Sequence, residues 1–466
     1  QTITTPLMAS LKNPNYFTNE TGRAIYLTGS HSWNTLQDWG SDDSIQPIDF
    51  TAFVDMLVSH HHNFTLLWTT ELPTFRFHNF HELSKTLEAP PDLFNATPFP
   101  WERTGPGNAS DGKPKFDLTR FNQAYFDRLR ARVVELNAAG IYAGIYLFSA
   151  EWLNIFRCSA DGYPFSGTNN INGIDDGGGI KSIATTAPNK ITGIQDGYVK
   201  KMINTVNDLP NVLWIVSQEA PPESVWWNYH LISLIRTFEK SMPLQHPIGY
   251  GSLIAINGDS IIINSDADWI APMSKISPAK TIGTGNPARK VNINDSDHSY
   301  WEIWKDSPQT NRNYFWINFT QGNQTLFMDP YLVYYPRENR NLPESPTHGI
   351  GKKPDRRWEN VRNTMGYIRE YADRMNLAAM TPQANLSSTG HVLANTTQSD
   401  AELLVYATSG GLFTVDLSGI KGKFEVEWMN PSTGIKTAAE NVSGDGVRTF
   451  TPPFSGDAVL YLRQQM

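Results

Sequence analysis

The chain holds one cysteine in 466 residues, Cys158, so no internal disulfide forms and stability must come from a packed core. A small, partly buried residue is the expectation for it rather than a nucleophile. Basic residues are in deficit, 38 Lys and Arg against 46 Asp and Glu, for a net charge of −8. With no basic run either, nucleic acid is not expected as a partner. No stretch of about 18 apolar residues occurs, so neither a membrane-spanning helix nor a membrane partner is expected. No Gly-x-Ser-x-Gly elbow occurs, which argues against a serine hydrolase. Internal repeats and low-complexity segments do not stand out.

Flat rings are abundant, with 14 Trp and 18 Tyr, and the length exceeds one ordinary domain. Strand-like runs alternate with helical periodicity. Ala24–Gly29, Phe64–Trp68, Ile141–Phe148 and Val212–Glu219 read as the first four strands. Pro247–Gly251, Asp268–Pro272, 290–295 and Thr325–Met328 read as the next four. Phe121, Tyr125, Leu129, Val133 and Leu136 mark a helix ending at Gly140, and Val199, Met202, Ile203 and Val206 another. Trp358, Val361, Met365, Ile368, Ala372 and Met375 form a final stripe. This is the pattern of a (β/α)8 TIM barrel over residues 1–383. After a turn-rich linker at 381–390 the period changes to two, as at Phe413, Val415 and Leu417, which predicts a C-terminal antiparallel β-sandwich over 384–466. Residues 72–115 and 157–195 are long insertions on the barrel's C-terminal side, where walls and lids are usually built. His60-His61-His62 reads as a solvated helix end.

The most informative run is Val212-Leu-Trp-Ile-Val-Ser-Gln-Glu219, an apolar strand ending abruptly in an amide and a carboxylate. Catalytic groups of such barrels sit where strands emerge, which makes Glu219 a candidate. Val291–Asp295 ends in acids as well, Asp295 and Asp297, followed by His298. Two carboxylates facing each other across a cleft make a glycosidase site. Asp297 is the preferred partner of Glu219, since it lies farther beyond the strand and next to His298, which would hold it ionised. Asp295 is the alternative. The same cluster, Asp295, Asp297 and His298, also resembles a metal site, but with no further acidic partner neither a metal nor another cofactor is expected. His31, Trp33, Asp38, Trp68, Glu71, Glu151, Trp152, Gln218, His298, Trp301 and Tyr331 lie at or near strand ends, and are the candidate sugar contacts, the Trp rings by stacking.

Asn15-Tyr-Phe-Thr-Asn-Glu-Thr-Gly22, Ile25–Trp33 with Gln37-Asp38, Arg103–Gly107, Asp111–Asp117, Asn294-Asp-Ser-Asp-His298 and Met328-Asp-Pro-Tyr331 together resemble glycoside hydrolases with a (β/α)8 barrel related to the apiosidase family. Trp428-Met-Asn-Pro-Ser-Thr-Gly434 is similar to the collagen-binding type of β-sandwich appended to them. The resemblance implies hydrolysis of O-glycosyl bonds, with Glu219 as general acid/base. Two departures stand out. Gln218 replaces the usual Asn, though it is still expected to donate to a substrate hydroxyl, and strand seven offers Asp rather than Glu. Retention is expected on the family analogy alone; the carboxyl separation decides, about 5–5.5 Å for retention and about 6.5–9.5 Å for inversion.

Sequons at Asn19, Asn63, Asn95, Asn108, Asn294, Asn318, Asn323, Asn385, Asn395 and Asn441, with an N-terminal Gln1, lead us to expect a processed, secreted, extracellular glycoprotein bearing N-linked glycans. A glycan at Asn63 or Asn294 would disturb folding or the site. The carbohydrate reading has two rivals, a carbohydrate-binding protein without turnover and a matrix-adhesion protein acting through its sandwich.

Overall fold

The computed structural model describes residues 2–41, 45, 47–76, 93–155, 157–178, 180–273, 290–300, 303, 306–333 and 353–465. Eight short strands form one parallel sheet: β1 (Thr28–His31), β2 (Phe64–Leu67), β3 (Tyr142–Tyr146), β4 (Val212–Ile215), β5 (Ile248–Tyr250), β6 (Trp269–Ile270), β7 (Val291–Asp295) and β8 (Gln324–Met328). Neighbours pair in chain order from β2 to β8, and β8 pairs with β1. Between and after them run α1 (Phe50–Ser59), α2 (Gln123–Ala138), α3 (Glu151–Ile155), α4 (Lys190–Val206), α5 (Val225–Glu239), α6 (Gly258–Ile263), α7 (Ser296–Ser299), α8 (Pro308–Thr320) and α9 (Glu359–Arg374). Helices cover the outer face of the sheet and the strands' own side chains fill the inside, so both faces are buried and these strands read as continuous apolar runs.

Barrel closure at the β1–β2 seam rests on one backbone bond, from Asn63 N to Thr28 O at 3.0 Å, and on side chains. Asn63 Oδ1 accepts from Thr28 N at 3.0 Å and His62 Nδ1 from Ser30 N at 3.2 Å, while Thr65 Oγ1 donates to Ser30 O at 2.8 Å. Backbone approach is so close that a Cβ on Gly29 would sit 2.1 Å from Phe64 O. The histidine tract is therefore only in part a solvated helix end. His62 is 2 % exposed and its Nε2 donates to Arg362 O at 3.0 Å, because the unpaired strand amides need an acceptor there. The first strand also starts later than expected. Ala24–Ile25 belongs to a small antiparallel sheet with Met8–Ala9 and Phe17–Thr18, outside the barrel.

The expected helical stripes are buried: Tyr125, Leu129, Val133 and Leu136 on α2, and Val199, Met202, Ile203 and Val206 on α4. Phe121, expected on α2, instead ends the strand Pro114–Phe121, which pairs with Trp101–Asn108 in a hairpin. The 157–195 segment is pinned to this hairpin through Asn169, whose Oδ1 accepts from Ser110 N at 2.8 Å.

The C-terminal module is an antiparallel six-stranded sheet faced by the pair Phe413–Asp416 and Val447–Phe450. Its first strand, Thr381–Pro382, lies in the expected linker and pairs with Val392–Asn395, so the turn-rich segment is part of the sheet. Barrel and sandwich share a core. Trp316 stacks on Tyr406 (5.9 Å) and Tyr371 meets Tyr461 (5.6 Å), with Leu393, Leu404, Met429 and Val459 in the same cluster. Arg312 makes two bonds to Asp457, at 2.6 and 2.9 Å. Trp428 does not reach this junction and packs on Phe413, Phe450 and Phe454 inside the sandwich.

Candidate active site

Four residues past β4 the chain turns sharply. Glu219 has φ 43, a left-handed conformation that few non-glycine residues adopt, and its amide donates to Ser252 Oγ at 3.2 Å. Such backbone strain costs on the order of 1–3 kcal/mol and clusters at functional sites. At the end of β7, Asp295 caps α7 by accepting from Asp297 N at 3.0 Å, and the short helix carries Asp297 and His298. The two strand ends meet. One carboxylate oxygen of Glu219, one of Asp297 and a ring nitrogen of His298 lie within 4.8 Å of one another. His298 Nε2 is 3.4 Å from Asp297 Oδ2 and 3.7 Å from Glu219 Oε1.

The two acids differ in exposure: the Glu219 side chain is 17 % exposed and that of Asp297 3 %. Burial, with the charges of Glu219 and Asp295, pushes Asp297 well above the usual carboxylate range. This corrects the expectation that His298 holds Asp297 ionised. His298 is itself buried, which lowers its affinity for a proton, so it offers Asp297 little positive charge. Asp295 behaves in the opposite way. Burial alone would raise it, but His31 and the Asp297 amide together hold it below the usual range. His31 Nδ1 accepts from Trp68 Nε1 at 2.9 Å, which leaves Nε2 as the ring N–H, 2.8 Å from Asp295 Oδ2.

Gln218 is fully buried between these groups. Its Oε1 accepts from Tyr146 Oη at 2.6 Å and its Nε2 meets Asp297 Oδ2, at 3.4 Å, and His298 Nε2. It is therefore engaged by the protein rather than free to donate to a substrate hydroxyl, as its longer arm reaches past the strand end to the β7 side.

Several expected sugar contacts are placed otherwise. Trp33, Trp68 and Trp152 are 4 %, 2 % and 1 % exposed, packed on one another and on Trp39, Phe75 and Tyr146, which leaves no open face for stacking. Asp38 pairs with Arg128 of α2 at 2.6 Å, since a nearly buried carboxylate needs a counter-charge. Tyr331 lies against Phe53 of α1. Glu71 accepts from Ser149 N at 2.7 Å, and burial raises it to about 8. Burial, with the charges of Glu219 and Asp297, raises Glu151 well above the carboxylate range. Trp301 lies outside the described residues. Tyr146 and Ser252 were not singled out from the sequence: Tyr146 lies inside the expected run Ile141–Phe148 and Ser252 one residue past Pro247–Gly251.

Among solved structures, the chain is similar to one described as a glycoside hydrolase, at 13 % identity over 99 % of this chain and 97 % of that one, with TM-score 0.60. A glycoside hydrolase family 5 structure from Bacteroides vulgatus is similar at 12 % identity, over 99 % and 93 %, with TM-score 0.63. Residues 380–463 match the family described as a putative collagen-binding domain of a collagenase. No curated protein matches the chain by sequence. At these identities the structural likeness establishes the fold, a barrel followed by a β-sandwich, along the full length.

Proposed function

We propose that this chain is a glycoside hydrolase that acts by a retaining two-carboxylate route, with Glu219 as general acid/base and Asp297 as nucleophile. One observation carries the glycosidase reading: an oxygen of the Glu219 carboxylate and one of Asp297 lie within 4.8 Å of each other, so both acids face one gap, while retention is taken from the family analogy. Exposure supports the division of roles. The partly open Glu219 is placed to meet the leaving group and exchange protons with water, and the enclosed Asp297 to attack beneath the sugar ring. Burial favours a proton on Asp297 in the resting site, and attack on the sugar requires that it leave. That both relatives by fold are described as glycoside hydrolases supports a carbohydrate substrate, which we take to be a plant or microbial polysaccharide or glycoconjugate met outside the cell. Secretion is supported by sequons on open surface at Asn108, Asn385 and Asn441.

The matrix-adhesion reading is supported only by the name of the family matched at 380–463. The test is a panel of polysaccharides and aryl glycosides, with product anomers read by proton NMR. Hydrolysis with retention is expected, and Glu219→Gln should lower it about 10²–10⁴-fold. Inversion would refute the mechanism, and a Glu219→Gln variant within a few-fold of the wild type would remove that residue from the chemistry.

A further inference from the structure

The hydrogen-bond ladder between β4 and β5 slips by one residue at Glu219. Trp214 N donates to Pro247 O at 2.9 Å and Val216 N to Gly249 O at 3.1 Å, the regular step of two residues on each strand. The next bond joins Ala220 N to Ser252 O at 3.2 Å, four residues on from Val216 but only three on from Gly249. One extra residue is therefore held on the β4 side, a bulge of the kind that re-aims a side chain at a barrel rim. Gly251 makes room for it, since a Cβ there would lie 2.1 Å from Ser217 O. Pairing resumes at once, with Ile254 N donating to Ala220 O at 2.9 Å.

Within the bulge the Glu219 amide is met by a side chain instead of a ladder carbonyl, Ser252 Oγ at 3.2 Å. Ser252 is fully buried, and its hydroxyl still has a hydrogen to give. His298 Nε2 lies 3.4 Å from that oxygen, and the Gln218 side-chain amide nitrogen meets the same ring nitrogen. An amide N–H cannot accept, so Nε2 is the accepting nitrogen of the ring and the Ser252 hydroxyl can donate to it. One hydroxyl thereby ties the backbone of Glu219 to the imidazole that stands 3.4 Å from Asp297 Oδ2.

We propose that Ser252 is a positioning residue: its hydroxyl holds the bulged turn that aims the Glu219 carboxyl at the leaving group, and holds His298 beside it. This rests on the reading of Glu219 as acid/base. In the first step Glu219 gives its proton to the departing glycosyl oxygen. The anomeric C–O bond breaks with its electron pair left on that oxygen, and Asp297 forms the new bond to the anomeric carbon. A misaimed Glu219 therefore slows departure of a group that needs the proton and spares one that leaves as a stable anion.

The test compares Ser252→Ala and Ser252→Cys in the full chain. Cys is close to Ser in size, but its sulfur is a weak acceptor and its S–H a weak donor. On oligosaccharides or alkyl glycosides both variants should lose about tenfold to a hundredfold in kcat/KM. On dinitrophenyl glycosides of the same sugar, whose leaving group needs no proton, kcat/KM should stay within about threefold of the wild type. Equal losses on both kinds of substrate, or a Cys variant at the wild-type rate on alkyl glycosides, would leave Ser252 as packing and overturn the proposal. Deuterium exchange supplies a readout without turnover. The amide of Glu219 should exchange about tenfold faster or more in Ser252→Ala, and unchanged exchange would equally overturn the proposal. A wild type inactive on the whole panel would instead sink the proposed function, with the exchange comparison still deciding whether the hydroxyl holds the turn.

Discussion

The ring nitrogen Nε2 of His31 lies 2.8 Å from Oδ2 of Asp295, and with side chains 0 % and 1 % exposed the two tie β1 to β7 across β8. Asp295 is thereby fixed in place by the barrel, whereas Asp297, two residues on, faces Glu219. The two acids of one short motif have different duties.

Asp295→Asn should accordingly lower stability, because removing one partner of a buried pair costs on the order of 3–5 kcal/mol. Asp297→Asn should melt near the wild type yet lose turnover about 10²-fold or more. Chemical denaturation and rate measurements on both variants check this. A stable but inactive Asp295→Asn beside an active Asp297→Asn would reverse the assignment.

His62 at the barrel seam sets an acid limit on the fold. Burial first, with the neighbouring positive charges, lowers it to about 3 against an ordinary value of 6.5. The unfolded chain therefore binds a proton near pH 6.5 that the native state refuses. Its contribution to stability is complete above that pH and is lost as pH falls toward about 3. His62→Gln, which does not titrate, should show a flatter fall of melting temperature between about pH 6.5 and 4. Parallel curves for the two proteins would remove His62 as the cause.

A chain ending at Met380 should melt several degrees lower or aggregate. It would expose Trp316 and Tyr371, which now pack on Tyr406 and Tyr461, and would leave Arg312 without Asp457. Calorimetry of the shortened and full chains decides. Equal melting, with loss only of affinity for polymeric substrate, would make the module a binding appendage.

Glycans, where the chain passes through a eukaryotic secretory pathway, should appear at Asn108, Asn385 and Asn441, and not at Asn63, Asn294, Asn318, Asn323 or Asn395, which are 5 % exposed or less. Asn63 Nδ2 donates to Tyr26 O at 2.8 Å and Asn294 Nδ2 to Asn318 Oδ1 at 2.6 Å, so a sugar on either nitrogen would break a buried bond. Site-by-site mass spectrometry checks it, and occupancy at Asn63 would contradict the seam described above.

The α/β order of the chain was legible because burial on both faces of a parallel strand forces an unbroken apolar run, as at Val212–Ile215, and because helix faces repeat every three or four residues, as on α4. Strand ends were legible too: an abrupt Gln218-Glu219 after such a run marks the barrel mouth. Partnership was not. That His62 accepts from Ser30, that Trp428 faces the sandwich core rather than the junction, and that Trp33, Trp68 and Trp152 pack on each other were decided by contacts across long separations in the chain. The proton states belong to the same class. Asp295 and Asp297 are the same residue type two positions apart, yet His31 from β1 holds one ionised while burial beside Glu219 keeps the proton on the other. Local sequence set which residues reach the mouth, and the assembled barrel alone set their charges, because a carboxyl's affinity for its proton depends on the distances and solvent exposure of groups that only tertiary folding brings together.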